Sequence, residues 1–148
     1  MPVDPETRLL KHIREKAVEV QSSVIPMSFS QGDVDYFEDG VRCATTWEAK
    51  NYDVKESCVV VSLFERVEAD QDCIKRIRYS YHIGASQTTT DETYLRYDNS
   101  DHYPSISTAP NHQHKGERVL PLADSTVTSF MSKAEDLYQK KKNTDQAK

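Results

Sequence analysis

The stretch Ile74-Lys75-Arg76-Ile77-Arg78-Tyr79-Ser80-Tyr81-His82-Ile83 decides the fold. Apolar and polar residues alternate along it, the period of a strand with one face against a core. Ile77, Tyr79, Tyr81 and Ile83 form one face, and Arg76, Arg78, Ser80 and His82 form the other. The run Glu92 to Asp98 repeats the pattern. Leu95 and Tyr97 take one side, and Tyr94, Arg96 and Asp98 take the other. If the two runs pair as a hairpin, Arg78 and His82 share a face with Arg96 and Asp98, because cross-strand neighbours lie within reach of one another. The polar stretch Gly84 to Asp91 is expected to be the loop between them.

Upstream, Cys58-Val59-Val60-Val61-Ser62-Leu63-Phe64 is the most apolar run of the chain. Ser57 to Val67 therefore reads as a central strand with both faces covered. Val41, Cys43, Thr45 and Trp47 alternate with Arg42, Ala44, Thr46 and Glu48 in another half-buried strand, and Asp39-Gly40 before it signals a hairpin turn. Val24 to Ser30 is a first strand, kept to an edge or a bulge by Pro26, and Asp33 to Glu38 is a short one. Asp4-Pro5-Glu6 starts a helix, with a capping carboxylate, proline at the first helical position and an acid in the first turn. Leu9, Leu10, Ile13, Ala17, Val18 and Val20 extend it to residue 21 at helical spacing. At the other end, Asp124 or Ser125 caps a second helix with a stripe of Val127, Phe130, Met131, Ala134, Leu137 and Tyr138, followed by Lys140, Lys141 and Lys142. The expectation is one α+β domain over residues 1–142. It holds an antiparallel sheet of about five to six strands between an N-terminal and a C-terminal helix, with 143–148 a frayed tail.

The 148 residues carry a net charge of −5. That balance speaks against non-specific binding to duplex DNA, although Arg76, Arg78, Arg96, Lys115 and Arg118 can still form a local basic groove. No run reaches the roughly 18 apolar residues of a membrane span, and the polar, acidic N-terminus does not have a signal-peptide pattern. Cys43, Cys58 and Cys73 lack close spacing. They read as buried free thiols of a reducing, cytoplasmic compartment rather than a metal site.

The chemistry concentrates in Tyr94 to Lys115, where His102, His112 and His114 fall within thirteen residues, after an incoming strand and on either side of two prolines, Pro104 and Pro110. The segment reads as a long polar loop, which in a small domain is usually functional or disordered. In extended chain, His112-Gln113-His114 puts two imidazoles on one side. One reading is a metal site completed by His102, Asp98 or Asp101. The other is acid–base cleavage of RNA, since histidine titrates near neutrality. His112 or His114 then serves as base or acid, His82 or His102 as its partner, and Arg96 or Lys115 as the clamp on the phosphorane. Tyr103 is free to stack an unpaired base, whereas Tyr79, Tyr81 and Tyr97 lie on the apolar faces and read as core. His12 reads as a surface histidine of the first helix.

Arg96-Tyr97-Asp98-Asn99, then His102, Pro104, Ile106, Thr108, Pro110, His112 and His114, resemble the signature of TumE-like toxins of prokaryotic toxin–antitoxin pairs. Tyr79-Ser80-Tyr81-His82 is similar to the strand that precedes that signature. Asp101 stands where the pattern has proline, and Tyr103 and Asn111 stand where it has histidine. The resemblance implies a cytoplasmic toxin neutralised by a helix-turn-helix antitoxin, with ribonuclease activity on an RNA substrate. It singles out His102, His112, His114 and Asp98 as catalytic, with His82 behind them. Arg96 and Asn99, joined by Arg78 and Lys115, are the substrate-binding set, and no metal or cofactor is assigned. The alternative is a non-enzymatic module that binds a metal or a partner through the histidine loop.

Overall fold

The computed structural model describes residues 4–85 and 94–146. The expected loop falls outside the described residues from position 86 onward, as does the start of the run Glu92 to Asp98. Helix α1 (Pro5–Gln21) begins where the capping signal placed it, with the Asp4 carboxylate accepting from the Thr7 amide. It buries Leu9, Ile13 and Val20, while Val18 stays exposed. The strands are β1 (Met27–Gln31), β2 (Asp35–Tyr36), β3 (Cys43–Asn51), β4 (Val60–Ala69), β5 (Ile74–Gly84), β6 (Leu95–Asp98), β7 (His112–Lys115) and β8 (Arg118–Pro121). A single turn, α2 (Val54–Ser57), precedes β4, and α3 (Val127–Gln146) closes the chain.

The architecture is α+β, as expected, with an antiparallel sheet between two terminal helices. The sheet has eight strands rather than five to six, in the order β1-β3-β4-β5-β6-β7-β8, with β2 also on β3. The additional pair is the β7–β8 hairpin, hidden in the sequence by its polar residues and flanking prolines. His112 and His114 thus lie on a strand and not on a loop. Helix α3 is capped by Thr126, whose hydroxyl accepts from the Ser129 amide. Asp124 instead bonds to Thr126. The helix continues past Lys142 to Gln146, and the last two residues of the expected tail lie outside the described residues.

Both helices lie on one face of the sheet. Leu9, Ile13 and Val20 of α1 and Val127, Phe130, Met131, Ala134 and Tyr138 of α3 join Trp47, Leu63, Tyr79, Tyr81, Ile83 and Tyr97 in one core. Phe130 meets the rings of both Tyr81 and Tyr97 at 5.6 and 5.1 Å between centroids. Each such buried large side chain contributes about 1.5–3 kcal/mol from area alone. Strand β4 alternates strictly between buried and half-buried residues, so it has one covered face and not two. Its inward Glu65 is buried, accepting from Trp47 Nε1 and from the Tyr81 hydroxyl, which keeps a carboxylate satisfied inside the core.

A bulge interrupts the β4–β5 register between Arg66 and Val67, so Arg66 faces Arg78 and Val67 faces Arg76. Ile77 is the extra residue, and one inserted residue reverses which face the strand before it presents. Ile77 is therefore 42 % exposed. Arg76 turns to the helix side, stacking on Tyr79 at 3.8 Å and bonding the Tyr81 hydroxyl and Ser125. This reverses the expected placement of both residues and removes Arg76 from any groove with Arg78. The cysteines also depart from expectation, since Cys43 is buried but Cys58 and Cys73 are exposed.

Candidate functional site

Among the described residues no helix covers the other face of the sheet, and here the register assembles the site. Ser80 faces Asp98 and Asp98 faces His112, forming one row across β5, β6 and β7. His82 faces Arg96 and Arg96 faces His114, forming the row beside it. Period-two alternation puts all of these side chains on the same side. Strands β5 and β6 pair, which was the condition for Arg78 and His82 to share a face with Arg96 and Asp98.

The segment 99–111 folds back over these rows and is pinned at its end. Thr108 Oγ1 donates to the Asn111 carbonyl and accepts from the Leu122 amide. The Tyr79 hydroxyl bonds Asn111 Oδ1 at 2.7 Å. Asn99 extends the sheet with its side chain: Oδ1 accepts from the Tyr79 amide and Nδ2 donates to the Ile77 carbonyl. Both ends of its carboxamide are thus committed to backbone. Tyr103 sits over the two strand histidines, its ring centroid 4.9 Å from that of His112 and 5.7 Å from that of His114.

Asp98 is the hub. Its side chain is 3 % exposed, with Oδ1 2.8 Å from His112 Nε2 and Oδ2 2.8 Å from Arg96 Nε. His114 Nε2 stands 3.7 Å from Oδ2, beyond hydrogen-bond reach. The Ser100 amide also donates to Oδ1, an Asx turn that ends β6. His112 is buried, and its Nδ1 lies 2.9 Å from the Pro110 carbonyl oxygen. That oxygen can only accept, so Nδ1 carries a hydrogen and the ring orientation is fixed. The close contacts to Asp98 are ion pairs by distance but are poorly aligned as hydrogen bonds. Arg96 Nε, Asp98 Oδ2 and His112 Nε2 are buried without a hydrogen-bond partner of good geometry.

The remaining groups differ in access. His114 is 18 % exposed and Arg96 40 %. Burial holds the His114 imidazole below its ordinary pKa; Asp98 opposes this, and Arg96 and His112 reinforce it. His82 is shifted the same way, by burial and then by Arg96, and its ring meets Tyr94 edge-on at 5.1 Å. Both imidazoles are thus biased towards the neutral, proton-accepting form. Among the described residues, Asp98, His112 and His114 are also the one set of three whose potential ligand atoms all lie within 4.8 Å of one another.

The sequence candidates therefore separate. Asp98, His112, His114 and Arg96 come together, with His82 at the end of their row. Arg78 is exposed on the same face, next to Ser80. His102 is exposed on the covering segment, its ring 6.5 Å from that of Tyr103, and is not part of the three-residue set. Lys115 alternates away from His114 and lines a cavity on the helix side with Tyr94, Leu95, Lys133 and Leu137. Tyr103, outside the candidate catalytic and binding sets, nevertheless lies against both strand histidines. An aromatic next to histidine and proline in a polar segment was the available signal. The Pro110 carbonyl and the Ser100 amide left no side-chain signal to read.

The model of the family described as "Toxin TumE" matches residues 36–140. The chain belongs to this toxin family. The match runs from the end of β2 into α3, spans every residue of the site, and leaves out all of α1 and β1. Membership makes the chain a toxin component of a toxin–antitoxin system and implies an antitoxin partner. No curated protein and no solved structure matches the chain. Among the described residues no helix is long and apolar enough to cross a membrane.

Proposed function

We propose that this toxin cleaves RNA by histidine acid–base chemistry, without a metal, on the helix-free face of its sheet. The observation that carries the reading is the row His82–Arg96–His114 beside the row Asp98–His112. Cleavage of RNA at its own 2′-hydroxyl needs a base, a proton donor for the leaving oxygen and a cation for the charge that builds on phosphorus. His114, partly exposed and biased towards its neutral form, takes the 2′-hydroxyl proton. The exposed portion of Arg96 holds the phosphate, and Asp98 keeps its guanidinium in place. His112 is too enclosed to meet substrate and acts by orienting Asp98. His82 is the second imidazole that the register keeps on this face, able to donate to the leaving oxygen once it has taken up a proton, and Tyr103 offers a ring on which a base can stack.

The partner in this reading is a helix-turn-helix antitoxin encoded beside the toxin, and the compartment is the cytoplasm. The test is cleavage of single-stranded RNA by the purified chain, with and without chelator. Chelator is expected to leave the rate unchanged, and His114→Ala to lower it by at least about 100-fold, the usual contribution of a positioned acid or base. Unaltered cleavage and growth inhibition in His114→Ala, or cleavage abolished by chelator, overturns the assignment.

A further inference from the structure

The helix-free face carries a second chemistry that acid–base catalysis does not use. We propose that Asp98, His112 and His114 form a binding site for a transition-metal dication of zinc type, and that its occupancy silences the imidazoles.

Nδ1 of His112 donates to the Pro110 carbonyl, so Nε2 is the ring nitrogen left to coordinate. That nitrogen is buried 2.8 Å from Asp98 Oδ1, yet the contact is not aligned as a hydrogen bond. So close an approach of nitrogen to carboxylate oxygen needs a proton or a metal ion between them, and a proton is the poorer bridge where the alignment is lacking. A metal ion is not bound by that linearity. Ligand atoms about 2.1 Å from a metal lie ~3.0 Å apart at a right angle and ~3.4 Å apart at the tetrahedral angle. Asp98 stands between the two rings, Oδ1 2.8 Å from His112 Nε2 and Oδ2 3.7 Å from His114 Nε2, and one ligand atom from each of the three residues lies within 4.8 Å of the other two, so small side-chain adjustments bring the set to those separations. Two imidazoles and one carboxylate match the donor set of an open zinc site, with a fourth position left for water. The Pro110 carbonyl supplies the outer hydrogen bond that metal-binding histidines commonly make.

Arg96 is the competitor. It occupies Asp98 Oδ2 at 2.8 Å, yet at 40 % exposure it can swing into solvent when a dication takes its place. Calcium and magnesium do not suit a set with two nitrogens, whereas zinc does. A bound metal consumes the His114 lone pair that proton abstraction requires. The inhibitory consequence rests on the ribonuclease reading, but the site itself does not.

The test is calorimetric titration of the intact, chelator-stripped chain with zinc chloride, and with cobalt chloride to read the ligand field by visible absorption. One equivalent is expected to bind. His114→Ala and His112→Ala are expected to weaken it by more than about 100-fold, since even outer-shell changes cost 10–100-fold. His112 is buried, so its variant enters the comparison only if circular dichroism matches the wild type. His114→Ala carries the test without it. Arg96→Gln is expected to bind at least as tightly as the wild type, which separates coordination from a general loss of structure. Absence of stoichiometric binding, or equal affinity in His114→Ala, overturns the site. Zinc binding by a chain that cleaves no RNA upholds the site and overturns only the ribonuclease reading. Cleavage of RNA unaffected by saturating zinc overturns the silencing.

Discussion

Asp98 is the residue on which the site depends, because it is a buried carboxylate that holds Arg96 and packs against His112. Replacing it with alanine leaves the buried His112 Nε2 without its polar neighbour and frees Arg96 from its anchor. Breaking a buried pair from one side costs about 3–5 kcal/mol, and the exposure of Arg96 places this case near the lower end. Chemical denaturation of Asp98→Ala should show a loss of roughly 3 kcal/mol. His114→Ala, a change at the accessible rim, should cost less than about 1 kcal/mol. A reversed order of the two would mean that Asp98 is not the hub. Acidity provides a second measurement. His82 and His12 both have pKa values lowered on folding, chiefly by burial. The unfolded chain then binds more protons than the folded chain in the window just below the ordinary histidine pKa, so stability rises with pH there. The melting temperature in chelator should fall between pH 7.5 and pH 5.5, before carboxylates begin to titrate. His82→Phe should reduce that fall.

At the scale of elements, strand β5 shows what alternation reveals and what it conceals. The pattern Ile77, Tyr79, Tyr81, Ile83 is unbroken in sequence, yet the bulge at Ile77 exposes that residue and turns Arg76 inward. Side-chain period alone cannot register an extra residue when the inserted one is itself apolar. Ile77→Thr should change stability by less than about 0.5 kcal/mol, as exposed substitutions do. Ile83→Ala, buried in the same strand, should cost about 2–5 kcal/mol. Equal costs would place Ile77 in the core and remove the bulge. The hairpin of β5 and β6 was legible because two alternating runs had charged faces to align. The hairpin of β7 and β8 was not, because His112-Gln113-His114-Lys115 has no apolar face of its own. Its order comes from the edge of β6 and from the covering segment, which are tertiary partners. His102 shows the opposite limit: proximity in sequence to His112 did not carry it into the cluster, since the segment between them turns back on itself.

At the scale of the whole molecule, the sheet divides its labour between faces. One face buries the aromatic core under α1 and α3, and the other is left to Arg66, Arg78, His82, Arg96 and His114. A net charge of −5 therefore conceals three arginines, Arg66, Arg78 and Arg96, on one strip of this face. Arg66 is already paired with Asp35 at 3.6 Å, and Arg96 with Asp98, whereas among the described residues Arg78 has no ion-pair partner. If RNA lies along this strip, Arg78 and the exposed part of Arg96 are its phosphate contacts. Each phosphate neutralised on a single strand contributes about −0.7 to the slope of log affinity against log salt. Two contacts predict a slope near −1.4, and Arg78→Gln should bring it to about −0.7 while weakening binding to all sequences alike. Fluorescence anisotropy with a short single-stranded RNA at several salt concentrations measures both values. A slope unaffected by Arg78→Gln would take the RNA off this end of the strip. Lys115→Gln is the matched control, since that side chain lies on the helix side and should leave the slope where it was.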